Sequence, residues 1–135
     1  MLRTLLGVAV GAAVGLGVVY GWQLLGHVIF PLLSSIDPTD PAKRTVLVNS
    51  ASFAAQAWVV AGYAVGVVVG GLLGNLIADA RWPAMFVAVM VTAAYFATLT
   101  LAPHPFWMQV TGILLPLLAG FAIAANVGRQ TLADR

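Results

Sequence analysis

Four apolar stretches of about twenty residues or more, none interrupted by a charged side chain, dominate this chain. They run over residues 5–30, 53–78, 84–102 and 108–127. A bilayer's hydrocarbon core takes roughly 20 apolar residues of helix to cross. Transmembrane strands would alternate polar and apolar over about ten residues, and these runs do not. Helices also satisfy their own backbone hydrogen bonds, as hydrocarbon requires. The expected fold is therefore an all-α bundle of four transmembrane helices with short loops, forming a single integral membrane domain over residues 1–135.

Composition excludes the main alternatives. Of 135 residues, 61% are hydrophobic and 7% charged. Soluble domains carry about 25% charged residues, and a chain this small has too few charges to hydrate its surface. Disorder needs the opposite balance. A net charge of +2, without a basic stretch, gives no footprint for nucleic acid. There is no cysteine, so disulfides, thiolate metal sites and cysteine nucleophiles are excluded. The first apolar run is too long for the 7–15-residue core of a signal peptide and is read as a span.

The connections differ in length. Tight turns around residues 80–83 and 103–106 join the later spans. The stretch over residues 33–52 is longer. Within it Asp40 is placed to cap a helix and Pro41 to open it, so a short interfacial helix carrying Lys43, Arg44, Val46 and Leu47 is expected before the second span. An even number of spans puts both termini on one side, with Arg3, Arg81, Arg129 and Arg135 there against Lys43 and Arg44 opposite. The excess of basic residues marks the terminal side as cytoplasmic. Trp22, Trp58 and Trp107 then gather toward the outer interface and Trp82 at the inner one.

Glycine spacing is the strongest local pattern. Gly62, Gly66, Gly70 and Gly74 recur every four residues in the second span. Gly7, Gly11 and Gly15 do so in the first, followed by Gly17 and Gly21. Such spacing lines one ridge of a helix and lets another backbone approach, a glycine-zipper pattern. The ridge is expected to hold the first two spans together or to join protomers.

Polar side chains fall in two layers. The outer candidate site is Gln23, His27, Gln56, His104 and Gln109, with Gln23 and His27 on one helix face. Imidazole and carboxylate suit divalent metals, so His27, His104, Asp37 and Asp40 are the residues a metal or proton-sensitive site would use. Interfacial hydrogen bonding is the more economical reading, and no metal or cofactor is assigned. The inner layer is Asn75, Asp79, Arg81, Asn126 and Arg129. Asp79 is expected to pair with Arg81 or Arg129, and the asparagines to bridge helices. No ionisable group lies at mid-membrane, where Thr92 is among the few polar side chains. This argues against an ion-coupled transporter working within one bundle. Pro116 inside the fourth span is expected to free the Gly112 carbonyl and kink the helix. No nucleophile elbow, phosphate loop or paired intramembrane carboxylates appear, and no enzyme is expected.

Three segments together resemble a widespread family of small bacterial inner-membrane proteins of about four helices. They are Gly26-His27 with Phe30-Pro31, Ile36-Asp37-Pro38 with Asp40-Pro41, and Pro103-His104-Pro105-Phe106-Trp107. The resemblance implies an inner-membrane location and the four-helix fold, but no chemistry. It also implies an acidic residue where this chain has Gln23. The functional expectation is a non-enzymatic packing or accessory subunit in a homo-oligomer or larger membrane complex. The alternatives are a homo-oligomeric channel or transporter for a small solute, and an outer-surface metal or pH-sensitive site at His27 and His104.

Overall fold

The computed structural model describes residues 1–31 and 39–133, with side chains described through Asn126. The expectations placed on Asp37 and on the Arg129 side chain lie outside the described residues.

Among the described residues five helices follow one another: α1 (Leu2–Ile29), α2 (Pro41–Ser50), α3 (Phe53–Ala78), α4 (Pro83–Leu101) and α5 (Phe106–Ala133). Four of them, α1, α3, α4 and α5 over Phe106–Asn126, are long and apolar enough to cross a membrane. At about 1.5 Å per residue, the 26 residues of α3 reach about 39 Å, more than the roughly 30 Å of hydrocarbon. The chain is an all-α, multi-pass membrane protein. The short helix expected between the first two spans is α2. Asp40 caps it by accepting from the Ala42 amide at 3.0 Å, and Pro41 fills the first helical position.

Two helix ends differ from the boundaries read in the sequence. α1 starts at Leu2, ahead of the apolar run, and Arg3 is part of it. α5 continues past Gly128 and Arg129 to Ala133. A glycine weakens a helix interior by about 1 kcal/mol, but it ends a helix only where the backbone turns left-handed. α5 is also continuous through Pro116, which is fully buried.

α3 is central, touching α1, α4 and α5, while α1 also packs on α4. The layout is two triangles of helices sharing the α3–α4 edge, with α1 and α5 on its two flanks. The shared core comprises Val19, Tyr63, Val67, Val87, Ala88, Val91 and Tyr95. Glycine places the flanking helices. A Cβ at Gly120 would strike Ala88, and one at Gly112 would strike the ring of Tyr95, so α5 lies close on α4 at both levels.

The closest contact is between α1 and α3. A Cβ added to Gly7 would lie 2.6 Å from the Gly74 carbonyl oxygen, and one added to Gly74 would lie 2.9 Å from that of Gly7. The same reciprocal approach joins Gly11 with Gly70 and Gly15 with Gly66. The two ridges therefore run antiparallel and in register, each glycine hydrogen facing a carbonyl across the interface. Such Cα–H···O contacts contribute about 0.5–1 kcal/mol each. Of the two pairings the spacing allowed, the fold uses the one within a single chain.

Gly11→Leu is expected to destabilise the bundle by about 1–3 kcal/mol or more, because its Cβ meets main chain that cannot step aside. Gly17→Leu, where a Cβ meets nothing within 4 Å, should leave stability nearly unchanged. Unfolding in detergent, followed by circular dichroism, compares the two.

Candidate functional site

The polar residues nearest the long connection assemble around two tryptophans. Toward that end the glycine ridges stop pairing with each other and begin to admit rings. Gly62 makes room for Trp22, whose Cδ1 would lie 2.5 Å from an added Cβ, and Gly26 makes room for Trp58 at 2.8 Å. The indoles stack at 4.5 Å between centroids and 22° between planes. The Trp22 indole N–H donates to the Trp58 carbonyl at 2.9 Å, and the Trp58 N–H donates to the Trp22 carbonyl at 3.0 Å. The sequence places these tryptophans only at an interfacial depth; the reciprocal clasp is what the structure adds. Its signal is a glycine four residues after each, in Trp22–Gly26 and Trp58–Gly62.

Gln23 extends the clasp by donating to the Val59 carbonyl at 3.2 Å. Gln56 is buried and bridges two elements. Its amide donates to the Val48 carbonyl at the end of α2 at 2.7 Å, and its oxygen accepts from the Trp107 indole at 3.2 Å. Asn49 of α2 donates to the Pro103 carbonyl at 3.3 Å. Gln56 and Asn49 thus hold the interfacial helix against the α4–α5 turn.

The turn itself centres on His104. Its Nδ1 lies 2.7 Å from the Ala102 carbonyl, which requires the proton on Nδ1, and Gln109 donates to the His104 carbonyl at 2.7 Å. Its ring stands edge-on to Tyr95 at 6.2 Å, and the Tyr95 hydroxyl donates to the Met108 carbonyl at 2.7 Å. Burial lowers the His104 pKa below its ordinary value, with the Ala102 hydrogen bond acting in the opposite direction.

The structure brings together Gln56, His104 and Gln109 around the α2 and α4–α5 ends, and Gln23 around the tryptophan clasp. His27 is exposed and does not join them. Among the described residues, no three His, Asp or Glu side chains are placed to hold a metal ion. Asp40 instead caps α2 and lies 3.7 Å from Lys43. The side chains that do converge bind helix-end and turn carbonyls. Their chemistry is that of a hydrogen-bonded latch, with His104 as its titratable member.

The inner layer is less connected than expected. Asn75 bridges helices, its Oδ1 accepting from the Ala84 amide at 2.9 Å. It thereby serves as the cap that Trp82, at the start of α4, lacks. Its buried Nδ2 has no partner among the described residues, nor has the Thr92 hydroxyl. Asp79 forms no ion pair with Arg81. It is the left-handed cap of α3, at φ 51° and ψ 43°, and its side chain is in the open. Water satisfies a carboxylate there without the entropy cost of a surface pair. Asn126 is exposed and bridges no helices among the described residues. Arg3, read only as a topological charge, donates from Nε to the Ile77 carbonyl at 2.8 Å, joining the start of α1 to the end of α3.

No family model matches the chain, and no curated protein or solved structure matches it.

The His104 geometry predicts a pH response. A histidine whose folded pKa is depressed binds fewer protons folded than unfolded. Stability is full above the ordinary value near 6.5 and falls as pH drops from there toward the lowered value. Melting temperature measured between pH 8 and pH 5 should decline in the natural protein, and the decline should be shallower in His104→Asn.

Proposed function

We propose that this chain is a non-enzymatic packing subunit of a membrane complex. It sits in the bacterial inner membrane with both termini in the cytoplasm, and it binds a further transmembrane helix through the outward face of α1. The observation that carries this reading is the second small-residue ridge of that helix. Ala13 and Gly17 are exposed, and an added Cβ at Gly17 or Gly21 would meet nothing within 4 Å. These three residues repeat at the spacing that seats α1 on α3, on a face that nothing among the described residues covers. Glycine lowers helix stability, and small residues in lipid favour close helix approach. Gly7, Gly11 and Gly15 are already occupied by α3, so they are not the association surface. The arginines at the terminal end support the cytoplasmic placement.

The partner helix belongs to a second copy or to a different membrane subunit, and mass distinguishes the two. Purification from native membranes in mild detergent, followed by native mass spectrometry, should give an assembly heavier than the 14.0 kDa chain. The doubly substituted Gly17→Leu, Gly21→Leu protein should run as the bare chain with its fold intact. An assembly of unchanged mass in that variant would overturn the reading.

A further inference from the structure

On the flank away from α1, the first turns of α4 and the later turns of α5 leave a groove of about 370 Å³. It is lined by Arg81, Trp82, Met85, Phe121, Ala124 and Ala125. Small side chains create it, because Ala124 and Ala125 leave space beside Met85. The groove wall is apolar apart from its rim, where Arg81 stands in the α3–α4 turn.

Arg81 is exposed and has no ion pair among the described residues. Asp79, the nearest acidic residue in sequence, caps α3 without engaging it. The guanidinium is a planar fork suited to phosphate oxygens. It lies two residues before α4, whose N-terminal end adds partial positive charge on the same side. The other basic residue described at this end is Arg3, so with Asp79 the described side chains here are net cationic. Trp82 packs edge-on against Phe86 at 5.0 Å and 70°, at the depth where indole favours the headgroup boundary. An unpaired cation at the interface above an apolar channel matches one kind of molecule in outline and charge. That molecule has an anionic phosphate joined to a hydrocarbon chain. A soluble phosphate compound would use Arg81 and leave the channel unfilled.

We propose that the Arg81 groove between α4 and α5 is a binding site for one anionic phospholipid. The lipid phosphate lies on Arg81 and an acyl chain runs past Met85 and Phe121 over Ala124. This site is on a different face from the association surface of α1 and does not depend on it.

The probes are phosphatidylglycerol and phosphatidylcholine with identical chains, added to the full-length protein in detergent and read by native mass spectrometry. The natural protein should retain one phosphatidylglycerol in preference to phosphatidylcholine. Arg81→Gln should reduce that preference about fivefold, the factor expected for one basic residue at a membrane surface. Ala124→Phe, which fills the channel and keeps the cation, should reduce retention of both lipids. Ala125→Phe serves the same purpose at an exposed position if the first variant does not fold. Lys43→Gln, beyond the opposite ends of the spans, should change neither. Phosphatidylglycerol retention in Arg81→Gln equal to that of the natural protein would overturn the proposal. So would phosphatidylglycerol retention that survives filling of the channel, or retention abolished by millimolar inorganic phosphate.

Discussion

Main-chain contact between α1 and α3 is the constraint on which the rest of the structure depends. In hydrocarbon, burying apolar side chains gives no drive for helices to associate, because lipid solvates them equally well. Close packing and short polar contacts must supply it. Three reciprocal glycine pairs, Gly7–Gly74, Gly11–Gly70 and Gly15–Gly66, bring the two backbones together in register. That register carries Trp22 to Gly62 and Trp58 to Gly26, closing the indole clasp at one end. At the other end it brings Arg3 to the last carbonyls of α3. The central zone is joined by backbone, and both ends by hydrogen bonds.

A division of labour follows. The apolar middle of the bundle contributes shape, and the polar side chains work where helices end and carbonyls lose their intrahelical partners. Gln56, Asn49 and Gln109 bind such groups around α2 and the α4–α5 turn, and Asn75 receives the amide that opens α4. Polar layers at both ends of a bundle can suggest the mouths of a conduit. Here most of the described members of the outer layer are occupied with main chain, which gives them a holding role. His27, Asp79, Arg81 and Asn126 are exposed instead. Of these, Arg81 also borders a cavity.

Local chemistry was readable from the chain; long-range partnership was less so. The spans follow from run length, and α2 from Asp40 and Pro41, because capping involves residues two or three apart. Gly7 through Gly74 announce a ridge by spacing, yet spacing is silent on whether the facing helix belongs to the same chain. The roles of Gln56 and Asn75 depend on where other helices end and have no local signature. Asp79 shows the reverse error. Nearby opposite charges suggest a pair with Arg81 or Arg129, whereas Asp79 takes up a left-handed cap and forms no pair with Arg81; Arg129 lies outside the described side chains. The tryptophan clasp lies between these cases, because the matched Trp–Gly spacings were present but needed the antiparallel register to acquire meaning.

Solid-state NMR on glycine-13Cα-labelled protein in lipid bilayers tests the central contact directly. A Cβ added to Gly11 would lie 3.1 Å from the Gly74 α-carbon, and one added to Gly70 would lie 2.8 Å from that of Gly15. Cross-peaks should therefore link Gly11 with Gly74 and Gly15 with Gly70, and keep their relative intensity when labelled chains are diluted into unlabelled ones. Missing cross-peaks would contradict this contact, as would peaks that vanish on dilution and so arise between copies.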